Sequence, residues 1–153
     1  SLLLLGSGSQ AGVLRSILTE RGCRDRVSIA GHIPPHQMHK WYAKADIFIS
    51  PSHVDGSSVS LMEALASGLP ALVSDIPANR EWIRDGVNGW LFKDGDVDQL
   101  ANRIVWIASQ PRARLERVGK AARATAEKRA DWRQNFRVLL HAYDQAVALE
   151  HLA

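Results

Sequence analysis

The 153-residue sequence is 46% hydrophobic, 23% charged and 7% aromatic, a composition that fits one globular domain and excludes a disordered or low-complexity chain. No apolar run, Leu2–Leu5 included, approaches the ~20 residues a membrane-spanning helix needs. The single cysteine, Cys23, excludes a disulfide framework and a thiolate zinc cage and fits a reducing compartment, while the formal charge of +3 fits an anionic ligand without selecting one.

The chain opens directly on Leu2-Leu3-Leu4-Leu5, with no Met and no basic, cleavable leader before it. That beginning is expected of a piece cut from a longer protein. Short apolar runs predict strands at about 2–5, 27–30, 46–49, 71–74 and 89–92, the last being the weakest. Helices are expected between them, near 10–21, 35–44, 58–67 and 78–84. Ile47-Phe48-Ile49 and Ala71-Leu72-Val73 are continuous apolar runs, as strands covered on both faces require. Ser57 or Ser58 can cap the third helix and Gly68 can stop it. Asp85-Gly86-Val87-Asn88-Gly89 reads as a turn.

From Asp96 onward the pattern is helical. Val97, Leu100, Ala101, Ile104, Val105 and Ala108 predict an amphipathic face against the sheet. Pro111 fits the first position of the next helix. Residues 112–129 are Arg-rich and poor in large apolar groups, and Trp132, Phe136, Leu139, Leu140, Tyr143 and Val147 then restore an apolar stripe. With no internal repeat and no flexible linker, residues 1–153 read as a single α/β domain. The expected architecture is a Rossmann-like, largely parallel sheet with helices on both faces.

Several motifs have ordinary explanations. Gly6-Ser7-Gly8-Ser9-Gln10-Ala11 follows a strand and opens a helix, matching the G-x-G-x-x-A dinucleotide pattern. That site needs a carboxylate at the end of the next strand, yet that strand ends Ile29-Ala30-Gly31-His32, so a tight turn is the better reading. His32, His36 and His39 lack a nearby carboxylate or cysteine to complete a metal site, and no metal is expected. His53 has no evident partner. The basic residues between Arg112 and Arg137 lack the interleaved aromatics of a nucleic-acid surface, so a solvated helix face is expected and no nucleic acid.

The segment Ser50–Pro70 differs. A strand ends, a small-residue loop follows and a helix begins, all at the carboxyl edge of a parallel sheet, where such sheets bind ligands. Gly56, Ser57 and Ser58 leave backbone N–H groups open to an anion, and the helix N-terminus adds its dipole. Glu63 lies too deep in the helix for a capping box, among Val59, Leu61, Met62, Ala64, Leu65 and Ala66. A carboxylate there needs partners. Sugar hydroxyls and a structural hydrogen bond to a neighbouring loop both remain open. Glu63 sits roughly 7–9 Å inside the helix, with Asp55 on the other side of the helix start. A diphosphate at the helix end would leave ribose near Glu63 and a hexose near Asp55, the layout of a nucleotide-sugar.

These residues resemble a known family. Asp55 and Glu63, eight positions apart, with Ala64-Leu65-Ala66-Ser67-Gly68-Leu69-Pro70 and Val73-Ser74-Asp75, are similar to retaining glycosyltransferases of the GT-B fold, family 4. Val27–Ile33, Tyr42–Ile47, Pro51-Ser52 and Asp85–Gly89 agree, so the resemblance covers essentially the whole chain. It implies that Glu63 holds the ribose hydroxyls and that Asp55 orients the donor sugar, the two forming the catalytic pair. Backbone amides of Gly56, Ser57, Ser58 and Val59 would contact the phosphates or sugar, and Gly31, His32 and Ile33 would border the base. Asp55 stands where many members have Glu, and Ser58 where many have Gly.

The resemblance also implies absent parts. The family's upstream strand and helix carry an Arg and a Lys that neutralise the diphosphate, and an N-terminal domain binds acceptor. Neither precedes Leu2 in this sequence. Leu2–Leu5 resembles the second strand of a 3-2-1-4-5-6 sheet, whose missing first strand is central. The 153 residues are therefore expected to be the donor-binding part of a sugar transferase that needs a nucleoside diphosphate sugar and no metal or cofactor. They would be inactive alone, and marginally stable, rearranged, or completed by an N-terminal domain or a partner chain. A non-catalytic donor-binding subunit and a GT-B epimerase or phosphorylase are the alternatives, with a dehydrogenase last. A cytoplasmic location is implied, and the basic helices permit peripheral contact with the inner face of a membrane.

Overall fold

The computed structural model describes residues 1–150. Its contacts divide the chain into two compact units, Ser1–Trp41 and Tyr42 onward. In the first, β1 (Leu2–Leu5) pairs in parallel with β2 (Val27–Gly31), Leu2 opposite Val27. Between them runs α1 (Ala11–Glu20), and α2 (Pro35–Tyr42) follows β2, its last residue, Tyr42, belonging to the second unit. The glycine-rich segment after β1 is a strand-to-helix turn, with Ala11 N–H donating to the Gly8 carbonyl at 3.2 Å. The apolar side chains of this unit are thinly covered: Leu2, Leu3, Leu5, Val13, Leu14 and Ile17 are all exposed.

The second unit contains a three-stranded parallel sheet in the order β3 (Phe48–Ser50), β4 (Ala71–Ser74), β5 (Gly89–Phe92). Every residue of β4 is buried, because neighbours pair on both edges and helices cover both faces. The period-2 alternation of a strand sorts them. Ala71 and Val73 join Leu61 and Leu65 of α3 (Val59–Ala66) and Ala122 and Ala126 of α6 (Arg112–Arg129). Leu72 faces the other cluster, with Trp90, Phe92 and Ile107 of α5 (Val97–Ala108). The short α4 (Pro77–Trp82) follows β4, and α7 (Trp132–Glu150) ends the chain. No helix among the described residues is long and apolar enough to cross a membrane.

All five expected strands form, including the weak one at 89–92, with shifts at the ends. The strand expected at 46–49 runs from Phe48 to Ser50, because pairing begins where Phe48 N–H donates to the Pro70 carbonyl at 3.0 Å. The helix expected to reach 44 ends at Tyr42, whose carbonyl accepts from Ala45 N–H in a tight turn. Pro111 is the N-cap of α6 rather than its first helical residue, with ψ 140°.

The buried face of α5 also differs from the expected one. Val97 and Val105 are 75% and 70% exposed, whereas Leu100, Ile104 and Ile107 pack on the sheet. Those three follow i, i+4, i+7 spacing, a narrower stripe than the six residues read from the sequence. The Arg-rich α6 packs on α3 through Ala122 and Ala126 and meets Gly68, just past its end, at Gly119, small residues that let the two backbones approach closely, while Val118 joins the Leu72 cluster.

Candidate functional site

Three connections leave the carboxyl edge of the β3-β4-β5 sheet: residues 51–58, Asp75-Ile76 and Lys93–Asp96. Parallel strands bring them to one edge, the ligand-binding edge of open α/β sheets. Their first residues are fixed by buried polar contacts. Ser74, at the end of β4, donates its hydroxyl to the Ser52 carbonyl. Asn79, 3% exposed, donates Nδ2 to the Ser74 carbonyl at 2.8 Å and contacts Ser74 Oγ at 3.3 Å. One residue on, His53 Nδ1 meets Asp94 Oδ1 at 2.6 Å, tying the loop after β3 to the turn after β5. His53 thus has the partner that the linear pattern did not reveal.

The loop then runs through Asp55, half-buried and with no side-chain partner among the described residues, to Ser58. Ser58, rather than Ser57, is the N-cap of α3. Its extended backbone (φ −67°, ψ 104°) lets Oγ accept from Leu61 N–H at 3.3 Å, and its carbonyl accepts from Met62 N–H at 3.0 Å. The N–H groups of Gly56, Ser57, Ser58, Val59 and Ser60 donate to nothing among the described residues. The unspent donors are thus those of Ser58, Val59 and Ser60 at the helix start and of Gly56 and Ser57 in the loop before it, where the helix dipole favours an anion.

Glu63 lies five residues beyond the cap, about 7.5 Å along the axis. It is half-buried. Its surroundings are less apolar than the sequence reading expected, because Val59 is 63% exposed and only Leu61, Ala64 and Leu65 of this helix are buried. Glu63 Oε2 accepts from the Tyr42 hydroxyl at 3.1 Å, which also lies 3.3 Å from the Ser60 carbonyl. The structural partner is therefore a buried tyrosine at the end of α2. Glu63 Oε1 has no partner among the described residues and reaches solvent. Burial first, then the Glu63 charge and the hydrogen bond to it, push the Tyr42 phenol well above its ordinary pKa, so it stays protonated as a donor.

Asp55, Gly56, Ser57, Ser58, Val59 and Glu63 all fall within one connection and one helix of the second unit. Gly31 closes β2 and His32 and Ile33 follow it, all three in the first unit. Among the described residues no three His, Cys, Asp or Glu side chains gather to hold a metal ion. Surface hollows lined by Arg15, Leu18, Arg24, Val27 and Ile29, and by Lys93–Asp98, include neither Asp55 nor Glu63. At the same sheet edge Asp75 accepts from Arg80 Nε and Nη2 at 2.5 and 2.9 Å, and that hydrogen-bonded guanidinium holds its carboxyl below the ordinary range.

Much of the basic stretch has structural work. Arg123 donates to the Ala66 carbonyl at the end of α3, and Arg129 to the Glu81 carbonyl in α4. The Arg114 and Arg129 guanidiniums lie 4.8 Å from the ring centres of Trp106 and Trp82. Arg112–Glu116 and Arg123–Glu127 are i,i+4 pairs.

A parallel α/β sheet carrying a carboxylate-flanked row of free amides at its carboxyl edge is the layout at which open α/β sheets take their ligands. The sequence profile of the family described as "Glycosyl transferases group 1" matches residues 1–125, and the chain belongs to that family. It is 34% identical over 130 residues to the amylovoran biosynthesis glycosyltransferase AmsK of Erwinia amylovora, a match covering 81% of this chain and 32% of AmsK. The chain thus spans about a third of the length of that relative. Its fold is that of sucrose-phosphate synthase from Thermosynechococcus elongatus, with a TM-score of 0.86 at 24% identity over 96% of this chain and 38% of that one. It matches HepE of Anabaena, solved in complex with UDP, with a TM-score of 0.83 at 20% identity, covering 94% of this chain and 40% of that one. The α/β fold expected from the sequence is thus the one found.

Proposed function

We propose that this chain is the donor-binding part of a retaining, family 4 glycosyltransferase that moves a sugar from a nucleoside diphosphate sugar to an acceptor. The observation that carries the reading is the row of five free N–H groups, Gly56 to Ser60, flanked by Asp55 and by the open oxygen of Glu63. In this reading the amides and the α3 dipole take the diphosphate, and Glu63 Oε1 accepts from the ribose hydroxyls. Asp55 accepts from a hydroxyl of the transferred sugar and orients its anomeric carbon.

As the bond from the anomeric carbon to the diphosphate breaks, negative charge grows on the leaving oxygens. Donors already aimed at them lower the barrier without reorganising. No metal is required in this reading, because the amides and a basic pair supplied by the rest of the enzyme neutralise that charge. Acceptor binding belongs to an N-terminal domain or partner chain beyond these residues. The class of relatives makes polysaccharide or glycolipid assembly the natural setting, with cytoplasmic chemistry at the inner face of a membrane.

Calorimetric titration with UDP, GDP and ADP, repeated on Glu63→Ala, tests the reading. One nucleotide should bind selectively and lose most of its affinity in the variant. Equal affinity of the two proteins would remove Glu63 from the site.

A further inference from the structure

Tyr42 lies outside the residues assigned to donor binding. It is the last residue of α2 and is 5% exposed, with its ring edge-on to Phe48 at 6.3 Å between centres. Nothing in that packing needs a hydroxyl, since a phenylalanine would make the same ring contact. The hydroxyl is instead spent on Glu63 Oε2 at 3.1 Å, with the Ser60 carbonyl as a second acceptor at 3.3 Å. An ionised carboxylate is the stronger acceptor of the two.

A glutamate side chain has three rotatable bonds and, unheld, spreads its oxygens over many positions. Anchoring Oε2 on a buried donor leaves a single oxygen, Oε1, with a fixed direction. Two vicinal hydroxyls of a ribose need such an oriented acceptor, because hydrogen bonds weaken steeply away from linear geometry.

We propose that Tyr42 is a positioning residue for donor recognition: it anchors Glu63 Oε2 so that Oε1 is preset for the vicinal hydroxyls of the nucleotide's ribose. The inference rests on the reading of Glu63 as the ribose contact. Because the phenol is held protonated by its burial and by Glu63 itself, the anchor persists throughout the neutral and mildly alkaline range.

The test uses the full protein as its gene encodes it. Whichever of UDP, GDP and ADP binds is titrated beside its 2′,3′-dideoxy form. The unaltered protein should favour the ribonucleotide about 10- to 100-fold, the range for hydrogen bonds to a charged group. Glu63→Gln should remove most of that preference. Tyr42→Phe should cut it about 5- to 10-fold while leaving affinity for the dideoxy form unchanged, and the double variant should add nothing to Glu63→Gln. A structural defect would instead weaken both nucleotides together.

Glu63→Asp, one methylene shorter and beyond the reach of Tyr42, should reproduce the Tyr42→Phe loss in a protein whose tyrosine packing is intact. This arm decides the matter even if Tyr42→Phe fails to fold. If Glu63→Gln abolishes the ribose preference while Tyr42→Phe, or Glu63→Asp, keeps it within twofold, the inference falls and the donor site stands. If Glu63→Gln also keeps the preference, or none of the three nucleotides binds, both readings fall.

Discussion

Where α6 crosses the end of α3 the two backbones approach closely, and a single methyl group probes the crossing. Gly68 stops α3 in a left-handed conformation, φ +73°, and its carbonyl oxygen faces Gly119 on α6. A Cβ on Gly119 would overlap that oxygen and lie 3.4 Å from the Gly68 carbonyl carbon and 3.5 Å from Pro70 Cδ. The obstructing atom is backbone, so no rotamer relieves it, and the helices must part by roughly 1 Å to restore van der Waals separation. A gap of that size forfeits about a quarter to a half of the dispersion between facing groups, which here are Leu61 and Leu65 on α3 and Ala122 and Ala126 on α6.

Overpacking of this kind costs about 1–3 kcal/mol, and a backbone obstacle puts Gly119→Ala near the top of that range. Replacing a helical glycine by alanine returns about 1 kcal/mol of propensity. The net expectation is a loss of about 2 kcal/mol, or a fall in Tm of about 4–8 °C for a chain this size. Gly12, inside α1, is the control: a Cβ there meets nothing within 4 Å, so Gly12→Ala should raise stability by up to about 1 kcal/mol. Urea unfolding followed by far-UV circular dichroism measures both. An unchanged or raised midpoint for Gly119→Ala would refute the close crossing of α3 and α6.

Three other outcomes are expected. Asn88, 3% exposed, accepts from Arg84 N–H at 2.7 Å and donates to the Trp82 carbonyl and Thr125 Oγ1 at 2.8 and 3.0 Å, so Asn88→Ala should cost about 2–4 kcal/mol in urea unfolding. Ser58→Asp should keep the α3 cap, with stability within about 0.5 kcal/mol, yet lower nucleoside diphosphate affinity about tenfold or more by placing a negative charge among the free amides, as calorimetry would record. The Asp75 carboxyl is held below its ordinary value of 3.8 by Arg80, so the stability this pair adds is present above about pH 4 and lost as pH falls through the lowered value. Acid titration of Arg80→Gln should therefore show a shallower loss of stability below pH 4, and an identical acid limb would count against the pair.

Element identity was largely legible because strand and helix periods differ and the turns carry glycine, proline and serine. The strands at 2–5 and 71–74 coincide with apolar runs in the sequence for that reason. The ends were less legible, since they depend on partners: β3 begins where Pro70 offers a carbonyl, a fact absent from residues 46–50 themselves. The α5 face was misread because Val97 and Val105 satisfy a helical pattern without lying on the side the sheet covers. For α6, the composition looked like a solvated face, and the small residues that pack it on α3 carry almost no hydropathy signal.

The candidate site divides along the same line. Asp55, the small-residue loop and Glu63 are contiguous, so spacing alone places them around one helix start. What holds them in position is not contiguous. Tyr42 reaches Glu63 across 21 residues, Ser74 reaches Ser52 across 22, and Asp94 reaches His53 across 41. Each of these three contacts a residue between Ser52 and Glu63 from an element adjacent only in the folded chain. The sequence therefore displays the groups that would touch a ligand and conceals the groups that aim them. That asymmetry follows from the fold: at the carboxyl edge of a parallel sheet each strand brings its own connection, and neighbours in space are separated by whole β-α units in sequence. A substitution that leaves the Asp55–Glu63 motif intact can therefore still disable the site, and Tyr42→Phe, Asn79→Ala and Asp94→Asn are the places where that should be seen.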